Sequence, residues 1–119
     1  MTVDINPVQV ENAIRETSNR IANSVKWCAD RYQDFLTAEH ALDLAFARAY
    51  LEATDRPAHE RRYLAEVATA SERAARDVAD AAYRHADRKA KALEAELRAL
   101  QSLNASLRTQ YGVAGVGER

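Results

Sequence analysis

Between Pro7 and Gly112 the chain contains no glycine and a single internal proline, Pro57. Glycine and proline interrupt helices most strongly, whereas alanine, which occurs 25 times here, is the best helix former. The stretches before and after Pro57 can therefore each form one long helix. At 119 residues, the chain is expected to form a single domain.

The N-terminal stretch "INPVQVENAI" has the pattern of a helix start. Asn6 is a suitable N-cap, Pro7 suits the first helical position, and Gln9 lies three residues past the cap. Apolar residues then recur at steps of three, four or seven residues, which is typical of a helix. They are Val10, Ile14, Ile21, Val25, Cys28, Tyr32, Phe35, Leu42, Phe46 and Ala49. The pattern predicts a first helix over residues 7–53.

The stretch "ATDRPAH" predicts a turn at 54–57, with Thr54 or Asp55 capping the next helix and Pro57 in its first turn. A second helix is expected over 58–111. Thr69 and Glu72 have the spacing of a capping box, which favours a kink near 69–72. Gly112 is expected to end this helix, leaving 113–119 as a flexible tail.

The expected fold is all-α, with two long antiparallel helices forming an elongated helical hairpin over residues 1–112. Leu36, Leu44 and Leu51 add a second apolar stripe to the first helix. Two helices cannot bury both stripes against each other, and a chain of this length has no separate core to cover the second. A homo-oligomer is therefore expected.

A coiled-coil-like seam is predicted in the C-terminal helix, where residues recur at alternating steps of four and three. Its members are Leu93, Leu97, Leu100, Asn104, Leu107 and Tyr111. A buried Asn104 at a core position would fix register and subunit number. Alternatively, Asn104 faces solvent and Leu103 packs in its place, and the leucines form the core face of an ordinary hairpin.

Charge is unevenly distributed, although the net charge is only −1. Residues 1–54 hold five basic and eight acidic residues, whereas residues 55–92 hold nine and seven. Arg84, Arg88 and Lys91 recur at i, i+4 and i+7, with Lys89 beside them, and Arg61 and Arg62 precede Tyr63. Such a stripe can follow a phosphate backbone. It can equally be a solvated face paired with the acidic first helix.

Catalytic and cofactor motifs are not found in the sequence. The three histidines are scattered, the single Cys28 cannot complete a zinc site or an intrachain disulfide, and no Gly-rich loop is present before residue 112. We expect neither an enzyme nor a bound metal or cofactor. The N-terminus does not resemble a signal peptide and no apolar run is long enough for a membrane span, so the cytoplasm is the expected location.

The order of segments resembles the phage recombination mediators of the UvsY type. These segments are "VKWCADRYQDF", "AFARAYLEA", a polar turn, "ERRYLAEVATASERAARDVADAA" and an amphipathic terminal helix, and they run from about residue 22 to residue 111. "AYRHADRKAKALEAELRALQSLNASLR" is also similar to segments of small helical proteins of actinobacterial phages, most of unassigned function.

The resemblance implies a helical ring that binds single-stranded DNA and helps to load a recombinase onto strands covered by single-strand-binding protein. It implies a DNA contact at Arg48, although the position two residues earlier, basic in the family, is Phe46. It also implies ring assembly through the C-terminal helix. A structural or adaptor coiled-coil module without nucleic-acid binding is the alternative, and an inhibitor of a host protein is a third class.

Overall fold

The computed structural model describes the backbone of residues 6–117 and the side chains of residues 6–112. Over that part of the chain the fold is all-α, as the sequence predicts, with three helices and no strand. Helix α1 spans Pro7–Glu52, α2 spans Ala58–Ala68, and α3 spans Ala70–Gly117.

The predicted start of α1 is confirmed by a reciprocal pair of hydrogen bonds. The Gln9 N–H donates to Asn6 Oδ1 at 2.9 Å, and the Asn6 N–H donates to Gln9 Oε1 at 3.5 Å. Two of the amide groups that lack an intrahelical partner at a helix start are thereby satisfied. Asn6, Pro7 and Gln9, which form a capping motif, therefore account for the position at which α1 begins.

The cap predicted for α2 is wrong. The N-cap is Pro57, without a side-chain hydrogen bond, and the Arg61 N–H donates to the Pro57 carbonyl oxygen at 3.0 Å. The Thr54 hydroxyl instead donates to the Asp55 carboxylate at 3.0 Å, so both candidate caps are engaged with each other. Pro57 thus precedes the helix.

Thr69 divides the second predicted helix into α2 and α3. The Thr69 hydroxyl donates to the Ala65 carbonyl oxygen at 2.7 Å and accepts a hydrogen bond from an Arg73 guanidinium nitrogen at 3.2 Å. Another Arg73 nitrogen donates to the Glu66 carbonyl oxygen at 3.2 Å. The predicted capping box with Glu72 is wrong, because the Thr69 hydroxyl bonds backward to the end of α2.

The C-terminal end of α3 also differs from the prediction. Gly112 was expected to end the helix through a left-handed conformation, but no glycine in the described range has a positive φ. Helix α3 passes through Gly112 to Gly117. Of the predicted tail, residues 113–117 therefore belong to α3, and residues 118 and 119 lie outside the described residues.

The chain divides into two compact units. The described part of unit 1 combines residues 6–26 with residues 88–117. Its buried side chains are Val10, Thr17 and Ser24, seven residues apart on α1, and Leu93 on α3. The Ser24 hydroxyl donates to the Ile21 carbonyl oxygen at 2.6 Å, which satisfies it locally. Val25, predicted to lie on the core stripe, is 70% exposed.

Unit 2 spans Trp27–Asp87. Leu42, Ala65, Thr69 and Ala86 are buried there. An aromatic cluster adds to this core: the ring centroids of Tyr32 and Tyr83 lie 5.1 Å apart, and those of Tyr32 and Phe35 lie 6.5 Å apart. The ring of Tyr83, the residue before Arg84 on α3, is thus in contact with α1.

Candidate nucleic-acid and self-association surfaces

Arg61 is part of the structure that closes the turn after α1. Its Nε and one terminal nitrogen donate to the Tyr50 carbonyl oxygen at 3.1 and 2.8 Å, and its guanidinium carbon lies 4.4 Å from the centre of the Tyr50 ring. Tyr50 is in the last turn of α1, where carbonyl groups lack intrahelical partners. The predicted DNA contact at Arg61 is therefore engaged in capping α1.

Arg62 and Arg84 each form an ion pair within their own helix. Arg62 Nε lies 3.4 Å from the Glu66 carboxylate, and Arg84 Nε lies 3.1 Å from the Asp80 carboxylate. The arginine side chains are 72% and 68% exposed, so the pairs are solvated and weak. Within the described residues the ion pairs of these two cations are with Glu66 and Asp80, so their charge is partly balanced on their own helices.

Arg88, Lys89 and Lys91 are all exposed on α3. Ala86 and Leu93 are the buried positions of this stretch. At 100° per residue, Arg88 and Lys91 lie on the opposite side of α3 from that buried pair, whereas Lys89 lies nearer to it. Together with Arg84, the two outward cations form what we call the basic stripe: Arg84, Arg88 and Lys91.

Arg48 is exposed in an apolar neighbourhood of α1. Leu44 and Leu51, four residues before and three after it, are 54% and 67% exposed. These three positions share the outer face of the helix. The positions three and four residues from Arg48 on α1 are Leu44, Ala45, Leu51 and Glu52, and none of these is basic.

The seven predicted DNA contacts are divided between the two units. Arg48, Arg61, Arg62 and Arg84 belong to unit 2, and Arg88, Lys89 and Lys91 belong to unit 1. Arg61 alone among them is half-buried, and the other six are exposed. The basic stripe is therefore the part of the predicted set that combines exposure with a common helix face.

The predicted seam is partly covered within unit 1. Leu93 is buried, Leu97, Leu100, Asn104 and Leu107 are half-buried, and Tyr111 is 60% exposed. Coverage therefore decreases toward the end of α3. Leu103 is half-buried like Asn104, so neither residue replaces the other on this face. The face is a core face of unit 1 at Leu93 and is most open at Tyr111.

Helix α2 also carries an exposed apolar surface that the sequence patterns do not predict. Tyr63, Leu64 and Val67 are 65%, 47% and 77% exposed, while Ala65 on another side of the same helix is completely buried. Their spacing of i, i+1 and i+4 is readable in the sequence and predicts one shared face. A pattern of this kind is ordinarily taken as a core face, and only the structure shows that it points outward.

Cys28 is half-buried in unit 2. Burial raises the pKa of its thiol above the ordinary value, and the Asp87 carboxylate raises it further. Because the thiolate is the nucleophile, this environment makes the thiol less reactive. No group of three or more metal-ligating side chains occurs among the described residues.

Comparison with models of protein families, with curated proteins and with solved structures finds no match to this chain. Within the described residues, no helix is long and apolar enough to cross a membrane. The function therefore has to be argued from the surfaces described above.

Proposed function

We propose that this chain is a non-enzymatic, homo-oligomeric protein that binds single-stranded DNA and assists recombinase loading, in the manner of the UvsY-type mediators. The observation that carries the proposal is the basic stripe. Arg88 and Lys91 are exposed on the side of α3 away from its buried residues, and Arg84 is 68% exposed one turn earlier. A phosphate backbone can reach such cations without unfolding the chain.

Within this proposal, the subunit is an antiparallel hairpin of α1 against the second arm. Residues 6–26 share a unit with 88–117, and the Tyr32 and Tyr83 rings meet at 5.1 Å, which supports that arrangement. The open end of the seam, near Tyr111, joins subunits. Repetition of a modest basic stripe in an oligomer raises affinity for one strand by avidity, which is compatible with a net charge of −1.

The proposed physiological partners are single-stranded DNA, a recombinase and a single-strand-binding protein. Binding to DNA phosphates and association of subunits require neither a metal nor a cofactor. The proposed cellular setting is the cytoplasm of the host in which recombination takes place.

A structural or adaptor coiled-coil module is the second candidate. It is favoured by the engagement of Arg61 with Tyr50 and by the ion pairs of Arg62 and Arg84, which reduce the charge available to DNA. In that case the exposed apolar side chains of α1 and α2 would be the functional surfaces.

Titration of the full chain with fluorescent single-stranded oligonucleotides over a salt series distinguishes the mediator from the coiled-coil module. DNA binding through phosphates gives a linear decrease of log K with log salt, with a slope of about −0.7 per phosphate contacted. Absence of binding at low salt contradicts the mediator proposal and favours the coiled-coil module. A duplex of the same length shows whether single strands are preferred.

A further inference from the structure

Helix α2 carries its large apolar side chains on the outside and a small one on the inside. Ala65 is fully buried, whereas Tyr63 is 65% and Val67 is 77% exposed. Apolar residues are ordinarily distributed the other way, and a contiguous exposed patch of this type marks an interaction site. We call Tyr63, Leu64 and Val67, with the two grooves described next, the outer face of α2.

Tyr63 lines both of two grooves on this face. One, of about 310 Å³, is lined by Arg56, Glu60, Tyr63, Leu64 and Val67. The other, of about 450 Å³, is lined by Phe46, Tyr50, Ala58, His59, Arg62 and Tyr63. The same small area therefore presents an exposed aromatic side chain that borders both recesses. All of these residues belong to unit 2.

A surface with both features is suited to another copy of itself. In a twofold interface the same patch of both subunits must supply the projection and the recess that receives it. Tyrosine in the centre of such a patch is typical of the residues that contribute most to binding. The outer face of α2 meets both requirements without a second type of partner.

The charges around this face also favour a second copy over a charged ligand. Arg56 lies 3.5 Å from the Glu60 carboxylate, and Arg62 lies 3.4 Å from that of Glu66. Since each cation has a carboxylate one turn away, two copies can approach without like-charge repulsion, and the face carries no net charge to attract a nucleic acid or an acidic peptide.

We propose that a second copy of this chain docks on the outer face of α2, with the Tyr63 ring of each copy in a groove of the other. This interface is separate from the seam and does not depend on DNA binding.

The first test measures the molar mass of the full chain by light scattering and sedimentation over a concentration series. Tyr63→Asp and Val67→Asp place a charge in the contact and are expected to weaken association by about tenfold or more. Val25→Asp is the matched control, since Val25 is 70% exposed on α1 in unit 1. Circular dichroism checks that helix content is unchanged. A wild-type chain that stays monomeric at high concentration, or Asp variants of undiminished mass, overturn the proposal.

The second test does not require a variant that disrupts the surface. Val67→Cys in a Cys28→Ser background introduces one exposed thiol, since Cys28 is the only native cysteine. Mild oxidation is expected to give a covalent dimer much faster than it does for Val25→Cys in the same background. Equal rates for the two variants overturn the proposal. Occupation of the face by a different protein would leave the purified chain uncross-linked, which also overturns it.

Discussion

The guanidinium of Arg61 donates two hydrogen bonds to the carbonyl oxygen of Tyr50 and lies over the Tyr50 ring. The last turn of α1 is thereby capped by a residue of the helix that follows the turn. The Arg61 guanidinium thus contacts both the Tyr50 carbonyl oxygen and the Tyr50 ring, whereas the arginine of a surface ion pair contacts only a carboxylate.

Arg61→Ala is expected to destabilise the protein by about 1.5–3 kcal/mol, because it removes a charge-assisted bidentate contact. Arg62→Ala, at the next position, loses only a solvated ion pair and is expected to cost about 0.5 kcal/mol or less. Urea denaturation followed by circular dichroism measures both. Equal costs for the two variants would mean that the Tyr50 contact adds nothing to stability.

Thr69→Val is expected to destabilise the protein by about 1–2 kcal/mol, because the buried hydroxyl bridges Ala65 and Arg73. Thr109→Val provides a matched control. The Thr109 hydroxyl also donates to the carbonyl oxygen four residues earlier, at 3.0 Å, but in an exposed position. Thermal unfolding should shift for the first variant only, and a shift of similar size in both would contradict a specific role for the junction.

Leu93→Ala and Tyr111→Ala test how the predicted seam is used. Leu93 is buried within the subunit, so its truncation is expected to cost about 2–4 kcal/mol in unfolding free energy. Tyr111 is exposed, so Tyr111→Ala is expected to change unfolding by about 0.5 kcal/mol or less in the dissociated chain. If the open end of the seam joins subunits, Tyr111→Ala lowers the molar mass seen in light scattering. An unchanged mass would place subunit contacts elsewhere.

Reversing the charge of Arg88 and Lys91 to Glu is expected to weaken binding of single-stranded DNA. The log–log salt slope should become less negative by about 1.4 for each subunit that contacts the strand, because two phosphate contacts are lost. Arg20→Glu with Lys26→Glu is the control, because it makes the same change in net charge at exposed positions of α1. Similar losses in both double variants would indicate a nonspecific effect of total charge.

Alkylation of Cys28 by iodoacetamide should require a higher pH in the folded chain than in urea. Burial and then Asp87 raise the pKa of the thiol, so less thiolate is present at a given pH. Asp87→Asn should lower the pKa and speed the reaction, whereas Asp77→Asn on the same helix should not. Because the pKa is raised on folding, the associated stability is present below the unfolded-state pKa and is lost as pH rises through the folded-state pKa.

The sequence predicts the all-α fold because helix formation is local here. Between Pro7 and Gly112 Pro57 is the only glycine or proline, which favours long helices on either side of it, and Asn6 with Gln9 identifies the start of α1. Which face of each helix is buried is harder to predict from the sequence. Ser24 is buried while its neighbour Val25 is exposed. Consecutive residues of a helix point 100° apart, so the side of α1 on which a residue lies decides its burial here, and its hydropathy does not.

Contacts between helices explain the other differences. Arg61 reaches Tyr50 eleven residues earlier, and no periodic pattern encodes that contact. In contrast, the pairing of Arg62 with Glu66 and of Arg84 with Asp80 follows from i, i+4 spacing and is readable in the sequence. For the candidate surfaces, the sequence predicts which residues share a helix face, but exposure depends on which side the neighbouring helices cover.

Few apolar side chains are buried in the described part of the chain, and they are spread along it: Val10, Leu42, Ala65, Ala86 and Leu93. Cohesion therefore comes from many shallow contacts repeated along the helices. We expect such a molecule to open in segments, with amide-hydrogen protection that decreases with distance from the nearest buried position. A ligand or second subunit that clamps one segment would then slow exchange in its neighbours along the same helix, transmitting its binding energy as local order.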